Sequence, residues 1–109
     1  VLVVGGATNW TSVTATNSHT CARRATGHLY CWGLDLFGQI GDAGTDVDQA
    51  APTPVSGGAT DWVSVRAGGN HTCARITTGR LFCWGRDGNG ELGDGGANAD
   101  RNEPSPVRP

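Results

Sequence analysis

No apolar run in this sequence approaches the ~20 residues that a membrane-spanning helix requires, and no signal-peptide pattern is present. No membrane span is expected. Positive charge is not in excess either, since 10 acidic residues against 8 basic ones leave a net charge of −2. A non-specific nucleic-acid binder needs a basic surface, so that class is set aside. The arginines near the centre of each half (Arg23, Arg24, Arg66, Arg75, Arg80, Arg86) are scattered and read as solvated charge. No window sustains a 3.6-residue apolar period, so no helix is expected. There is no Gly-x-Ser-x-Gly elbow and no phosphate loop. Ser, His and Asp are present but recur at one fixed spacing, which suits architecture better than a single active site. Neither catalysis nor a cofactor is expected.

What the chain has in quantity is turn and staple chemistry: 18 Gly, 5 Pro and 4 Cys in 109 residues. Such a composition points to short strands and many turns. It opens at Val1 rather than Met, as expected of a processed or excerpted chain. The organising stretch is His71 to Gly85, HTCARITTGRLFCWG, which reads as one β-hairpin. Thr77-Thr78-Gly79 is a three-residue connection ending in Gly, where the backbone must take a positive φ. That loop sets Ile76 opposite Arg80, Arg75 opposite Leu81 and Cys73 opposite Cys83. Opposed residues on antiparallel strands lie close enough for a disulfide. The same arithmetic pairs Cys21 with Cys31 across Ala25-Thr26-Gly27. Paired cysteines imply an oxidising compartment: extracellular, cell-surface or periplasmic. Gly27, Gly33, Gly79 and Gly85 are the turn glycines of the two hairpins.

The chain repeats itself. Pairing residues 3–57 with 55–109, a shift of 52, gives 29 identities in 55 positions. Trp10 falls on Trp62, His19 on His71, Trp32 on Trp84, and all four cysteines coincide. Each repeat reads as four short strands. Val1–Val4 is taken as the first, with Thr53–Val55 and Ser105–Val107 as its equivalents. Trp10–Thr14 and Trp62–Arg66 are the second, and the hairpin supplies two more. Proline in the Pro52–Pro54 segment demotes it to a sheet edge. Four antiparallel strands in about 50 residues is the pattern of a β-propeller blade. The expected fold is all-β: repeat 1 over 1–54 and repeat 2 over 55–109, with the first strand of a following blade at 105–107. Cys83 and Leu81 point to one face of the hairpin, Phe82 and Trp84 to the other. Both faces are apolar, so further blades or copies of the chain are expected to cover them and close the structure.

The motifs Trp62-Val-Ser-Val, His71-Thr-Cys-Ala, Gly79-Arg-Leu-Phe-Cys-Trp-Gly85 and Gly90-Glu-Leu-Gly-Asp94 resemble the regulator of chromosome condensation repeat family. Trp10-Thr-Ser-Val, His19-Thr-Cys-Ala, Gly27-His-Leu-Tyr-Cys-Trp-Gly33 and Gly38-Gln-Ile-Gly-Asp42 are the first copy. The resemblance covers essentially the whole chain and implies four-stranded propeller blades. The cysteine pair is similar to that of the family's secreted bacterial branch. Family functions diverge: nucleotide exchange on a small GTPase, inhibition of β-lactamase, domains of large surface proteins. The matched residues are turn and core positions, and the binding loops of the specialised members have no counterpart here. The repeat, the paired cysteines and the missing active site point to a non-catalytic module of a secreted or surface protein that binds protein or self-assembles, in a ring or filament, with copies of itself or further blades as partners. The alternative is part of a larger propeller that binds or inhibits one extracellular protein, as the β-lactamase-inhibiting relative does.

Three features admit a sharper and a blander reading. His19 and His71 share a face with a cysteine, so a zinc site is conceivable. The Cys-x9-Cys spacing favours a disulfide instead, with the histidine as a hydrogen-bonding residue at a blade junction, alongside Trp10, Trp32, Trp62 and Trp84 as repeat core. Asp87-Gly-Asn89-Gly-Glu91 faintly resembles a calcium loop, but the first copy loses the pattern and turn chemistry suffices. No metal is expected. Leu36 and Phe37 are large apolar residues in a loop and form a candidate contact surface, unless they pack inward on the next blade. The Asn9-Trp-Thr11 and Asn70-His-Thr72 sequons are read as chance.

Overall fold

The computed structural model describes residues 3–96 and 98–108. Eight strands follow in order: β1 (Trp10–Ala15), β2 (His19–Arg24), β3 (Leu29–Gly33), β4 (Gln49–Pro54), β5 (Trp62–Ala67), β6 (His71–Ile76), β7 (Leu81–Gly85) and β8 (Arg101–Pro106). They form two antiparallel four-stranded sheets, β1-β2-β3-β4 and β5-β6-β7-β8, with no helix among the described residues.

Each hairpin turn fixes its own register. Gly79 donates its N–H to the Ile76 carbonyl at 3.0 Å and has φ 92°, a conformation that costs glycine little. Ile76 N–H then bonds to the Arg80 carbonyl at 3.1 Å. Counting outward, Arg75 pairs with Leu81, Ala74 with Phe82, and Cys73 with Cys83. Hydrogen-bonded and non-hydrogen-bonded pairs alternate, so the cysteines fall on a non-hydrogen-bonded pair, where side chains approach most closely. Both disulfides are formed, Cys21–Cys31 and Cys73–Cys83, with Cα atoms 4.0 and 4.1 Å apart.

The outer strands correct the sequence reading. Val1 and Leu2 lie outside the described residues, and no strand forms at Val3 or Val4. The Pro-bounded segments do not begin the next repeat. β4 pairs with β3 through Cys31 and Thr53, and β8 with β7 through Cys83 and Ser105, so each closes the blade whose hairpin precedes it. The cause is the unpaired edge of the hairpin. Val55 N–H reaches the Leu29 carbonyl at 3.0 Å. N–H directions alternate along a strand, so positions 52 and 54, both proline, face away from β3. Proline there loses no ladder bond and blunts the exposed edge.

Every blade has two faces. His19, Cys21, Leu29 and Cys31 define a cysteine face in the first blade; Thr72, Ala74, Phe82 and Trp84 define a tryptophan face in the second. The core forms where these meet. Cys21, Leu29, Cys31, Ile40 and Val55 pack against Trp62, Val65, Ala74 and Trp84. Within the tryptophan face Trp62 meets Phe82 edge-on at 5.6–5.7 Å, as Trp10 meets Tyr30 in the first blade.

Candidate functional site

The most elaborate chemistry lies in the joint between the blades. It begins with the loop after β3. Asp35 is fully buried, and its Oδ1 accepts the Ile40 N–H at 3.0 Å, while Asp48 Oδ1 accepts the Asp35 N–H at 3.0 Å. This double clamp folds residues 35–41 into tight turns, with Gly38 N–H on the Asp35 carbonyl and Gly41 N–H on the Gly38 carbonyl, each at 3.0 Å. The loop thereby presents Gln39, Ile40 and Gly41 to the second blade. Gly41 has φ 76°, and a Cβ there would collide with the Trp84 indole. Close approach and backbone conformation both demand glycine.

The Gln39 carbonyl is the hub. It accepts the Trp84 indole N–H at 3.0 Å and the Thr72 hydroxyl at 2.8 Å. Thr72 Oγ1 also lies 2.8 Å from His19 Nε2. The one hydroxyl proton of Thr72 goes to Gln39, so Thr72 accepts from His19, and Nε2 carries the imidazole proton. His19 Nδ1 faces Thr16 Oγ1 at 3.3 Å. Burial, with the nearby His71 second, lowers the His19 pKa from 6.5 to about 4, so the ring is neutral at pH 7. Burial likewise raises Asp35 from 3.8 to about 6, further helped by Asp42, Asp46 and Asp48 and opposed by the Ile40 N–H. Its Oδ2 is buried without a hydrogen-bond partner.

Further bonds cross the joint. Arg23 Nε donates to the Trp62 carbonyl, Ser18 Oγ to the Gly69 carbonyl at 3.0 Å, and Ala43 N–H to the Asn102 carbonyl at 2.7 Å. Asn102 Nδ2 returns a bond to the Gly44 carbonyl at 2.9 Å.

The residues singled out from sequence distribute as follows. His19, Trp62 and Trp84 are in the joint. Trp10 and Trp32 form the same aromatic cluster on the outward tryptophan face of the first blade, and His71 lies half-buried on the outward cysteine face of the second. Gly27 and Gly79 in the hairpin turns, and Gly33 and Gly85 at the ends of β3 and β7, all adopt positive φ. Leu36 is 63% exposed, and Phe37 beside it is half-buried, with the Arg86 guanidinium of the second blade over its ring at 5.7 Å. The cysteines are all disulfide-bonded, and among the described residues no group of His, Cys, Asp or Glu is arranged to hold a metal. The would-be calcium ligand Asp87 instead clamps its own loop, accepting the Leu92 N–H at 3.0 Å. Sequence reasoning missed Asp35, Gln39 and Thr72. Asp35 and Thr72 recur at the repeat shift as Asp87 and Thr20, a signal that could have marked them. Gln39 acts through its backbone carbonyl, which has no side-chain signature.

Two four-stranded antiparallel sheets of one repeat, packed face to face through a shared polar hub, are two blades of a β-propeller, open rather than closed into a ring. A model of the regulator of chromosome condensation (RCC1) repeat matches residues 10–39 and 62–91, and a second model of that repeat matches 26–75. The chain belongs to this family. It is 41% identical over 90 residues to the ultraviolet-B receptor UVR8 of Arabidopsis thaliana, covering 82% of this chain and 20% of that protein. Among solved structures it is similar to Prp20p of Saccharomyces cerevisiae, with a TM-score of 0.82 at 23% identity over 99% of this chain and 27% of the other. Human WBSCR16 gives 0.85 at 24% identity, over 99% and 28%. The chain thus spans less than a third of each of these relatives.

Proposed function

We propose that this chain is a non-catalytic propeller module of a secreted or surface protein that works by packing blade against blade and by binding protein. Its two units are repeat 1 over 1–54 and repeat 2 over 55–109. The observation that carries the reading is the joint. Each of its halves recurs on an outward face: Thr20, Trp32 and Val13 on the first blade, His71, Leu81 and Glu91 on the second. Val13 is 68% exposed while its equivalent Val65 is 7% exposed, and Leu81 is 42% exposed while Leu29 is 3%. Apolar faces of this kind favour association. The occupant that fits is another blade of the same repeat, from a copy of the chain or from further blades, in a ring or filament.

Two disulfides support an oxidising compartment. Protein partners are in keeping with relatives such as Prp20p, studied for its binding properties to Gsp1p and histones. Sedimentation velocity tests the assembly. The chain associates as concentration rises, and Val13→Glu, which charges the outward tryptophan face without touching the internal joint, keeps it monomeric. Equal behaviour of the two proteins would refute the reading. A second reading, a larger propeller that binds or inhibits one protein through its loops, rests on exposed Leu36. Phe37 beside it also touches Arg86 across the joint, so Leu36→Ser discriminates more cleanly than Phe37→Ala.

A further inference from the structure

The two blades differ at one aromatic site in a coordinated way. In the first blade the Arg24 guanidinium lies 5.9 Å from the ring centroids of both Trp10 and Tyr30, and Arg24 Nε donates to Asn9 Oδ1 at 2.7 Å. This is an internal cation–π site with a polar anchor. In the second blade the aromatic floor persists as Trp62 and Phe82, 5.7 Å apart. Arg24 is replaced by Ile76, Asn9 by Asp61 and Ala51 by Glu103. One cation has gone and two carboxylates have come. Where the guanidinium lay in the first blade, the second has a cleft of about 350 Å³ lined by Trp62, Phe82, Ile76, Asp61, Glu103 and the linker residue Ser56. Neither carboxylate is in an ion pair among the described residues. Arg80 stacks on Phe82 at 5.4 Å and is not part of the cleft lining.

We propose that this cleft binds the guanidinium of an arginine side chain presented by a partner protein. Half-buried Phe82 accepts the flat face of the cation on the side away from Arg80, Trp62, 4% exposed, backs it from below, and Asp61 occupies the place of the side chain that anchors Arg24. Guanidinium suits such a site better than ammonium because it is planar, weakly hydrated and stacks on aromatic faces. The cleft has room for one side chain. A free amino acid brings an α-carboxylate against Asp61 and Glu103, which disfavours it. The assignment of the guanidinium to a protein rests on the binding function proposed above; the cleft itself does not.

The test is an NMR titration of the 109-residue chain with N-acetyl-arginine amide, N-acetyl-lysine amide and free arginine, read at the Trp62 indole and the Ile76 and Phe82 amides. The capped arginine gives saturable shifts at these residues, about three- to ten-fold tighter than the capped lysine and tighter than free arginine. Ile76→Arg, which recreates the first-blade arrangement and so is compatible with the fold, abolishes the shifts. Asp61→Asn with Glu103→Ala weakens them. Absence of saturable shifts, equal binding of lysine, or unaltered binding by Ile76→Arg would overturn the proposal. Tighter binding of free arginine would overturn the protein source. The Ile76→Arg chain sediments like the parent, so failure of this site is distinguishable from failure of blade-to-blade packing.

Discussion

The tryptophan face occurs twice in this molecule, once covered and once not. In the second blade it lies under the loop of the first, with Trp84 wholly buried and its indole N–H held by the Gln39 carbonyl. In the first blade Trp32 packs on Trp10 at 6.1 Å, but no such carbonyl reaches it among the described residues, and Val13 beside it is exposed. Both sheets nevertheless have the same strand order and equivalent registers. Blade geometry is thus set within the repeat by the turn glycines and cysteine pairs. The neighbouring blade supplies burial and the polar hub.

The comparison breaks most visibly at the tryptophans. Trp84→Ala removes a buried aromatic and one of the two donors to the Gln39 carbonyl, and is expected to cost about 3–5 kcal/mol. Trp32→Ala costs about 1–2 kcal/mol, because that side chain is only partly buried and no neighbouring blade covers it. Denaturant unfolding of both variants checks this, and equal losses would contradict the role assigned to the joint. Next come the disulfides. Each closes a loop of eleven residues and contributes about 3 kcal/mol by chain entropy. Replacing the Cys21–Cys31 pair by alanine costs more than replacing Cys73–Cys83, since only the former bridge is buried in the joint. Melting temperatures of the two double variants under oxidising conditions decide it.

The joint also has a hidden pH dependence. The folded pKa of His19 is about 4 against 6.5 for the free group. Between those values the unfolded chain takes up a proton that the folded chain refuses, so stability falls on acidification, by up to about 3 kcal/mol. Asp35 acts in reverse. Its folded pKa is about 6 against 3.8, so its contribution falls as pH rises from 4 to 6, by a similar amount. The two nearly cancel, and the parent protein is expected to be almost flat over this window. Asp35→Asn exposes the histidine slope, with stability rising with pH. His19→Gln exposes the opposite slope. Chemical denaturation at pH 4, 5, 6 and 7 reads both, and parallel profiles for the two variants would refute the assignment.

The smallest effect sharpens the comparison at one hydroxyl. Thr72→Val strips His19 Nε2–H and the Gln39 carbonyl of their shared partner and is expected to cost about 2 kcal/mol. Thr20→Val, at the equivalent outward position, is expected to cost less than about 0.5 kcal/mol.

Much of this architecture was legible in the sequence. A single glycine at the end of a three-residue turn fixes the hairpin register, and the register places each cysteine opposite its partner. Alternation assigns Trp84 and Cys83 to opposite faces. The repeat shift of 52 exposes two blades. Two things were not legible. The prolines of β4 and β8 mark an edge without saying whose edge, because antiparallel pairing to the preceding hairpin is decided by tertiary proximity. The hub escaped because its central acceptor is a backbone carbonyl, brought into place by Asp35 from a segment that reads as turn chemistry.

Hydrogen exchange of the Trp32 indole N–H, followed by NMR as the concentration of the chain is raised, tests most directly the idea that the joint is a unit that repeats outward. Trp84 serves as the internal reference, protected at every concentration. The account predicts that Trp32 exchanges freely in dilute solution and gains protection approaching that of Trp84 as copies associate, with no such gain in Val13→Glu. A Trp32 indole that exchanges equally fast at all concentrations, or one that is protected equally in Val13→Glu, would contradict it.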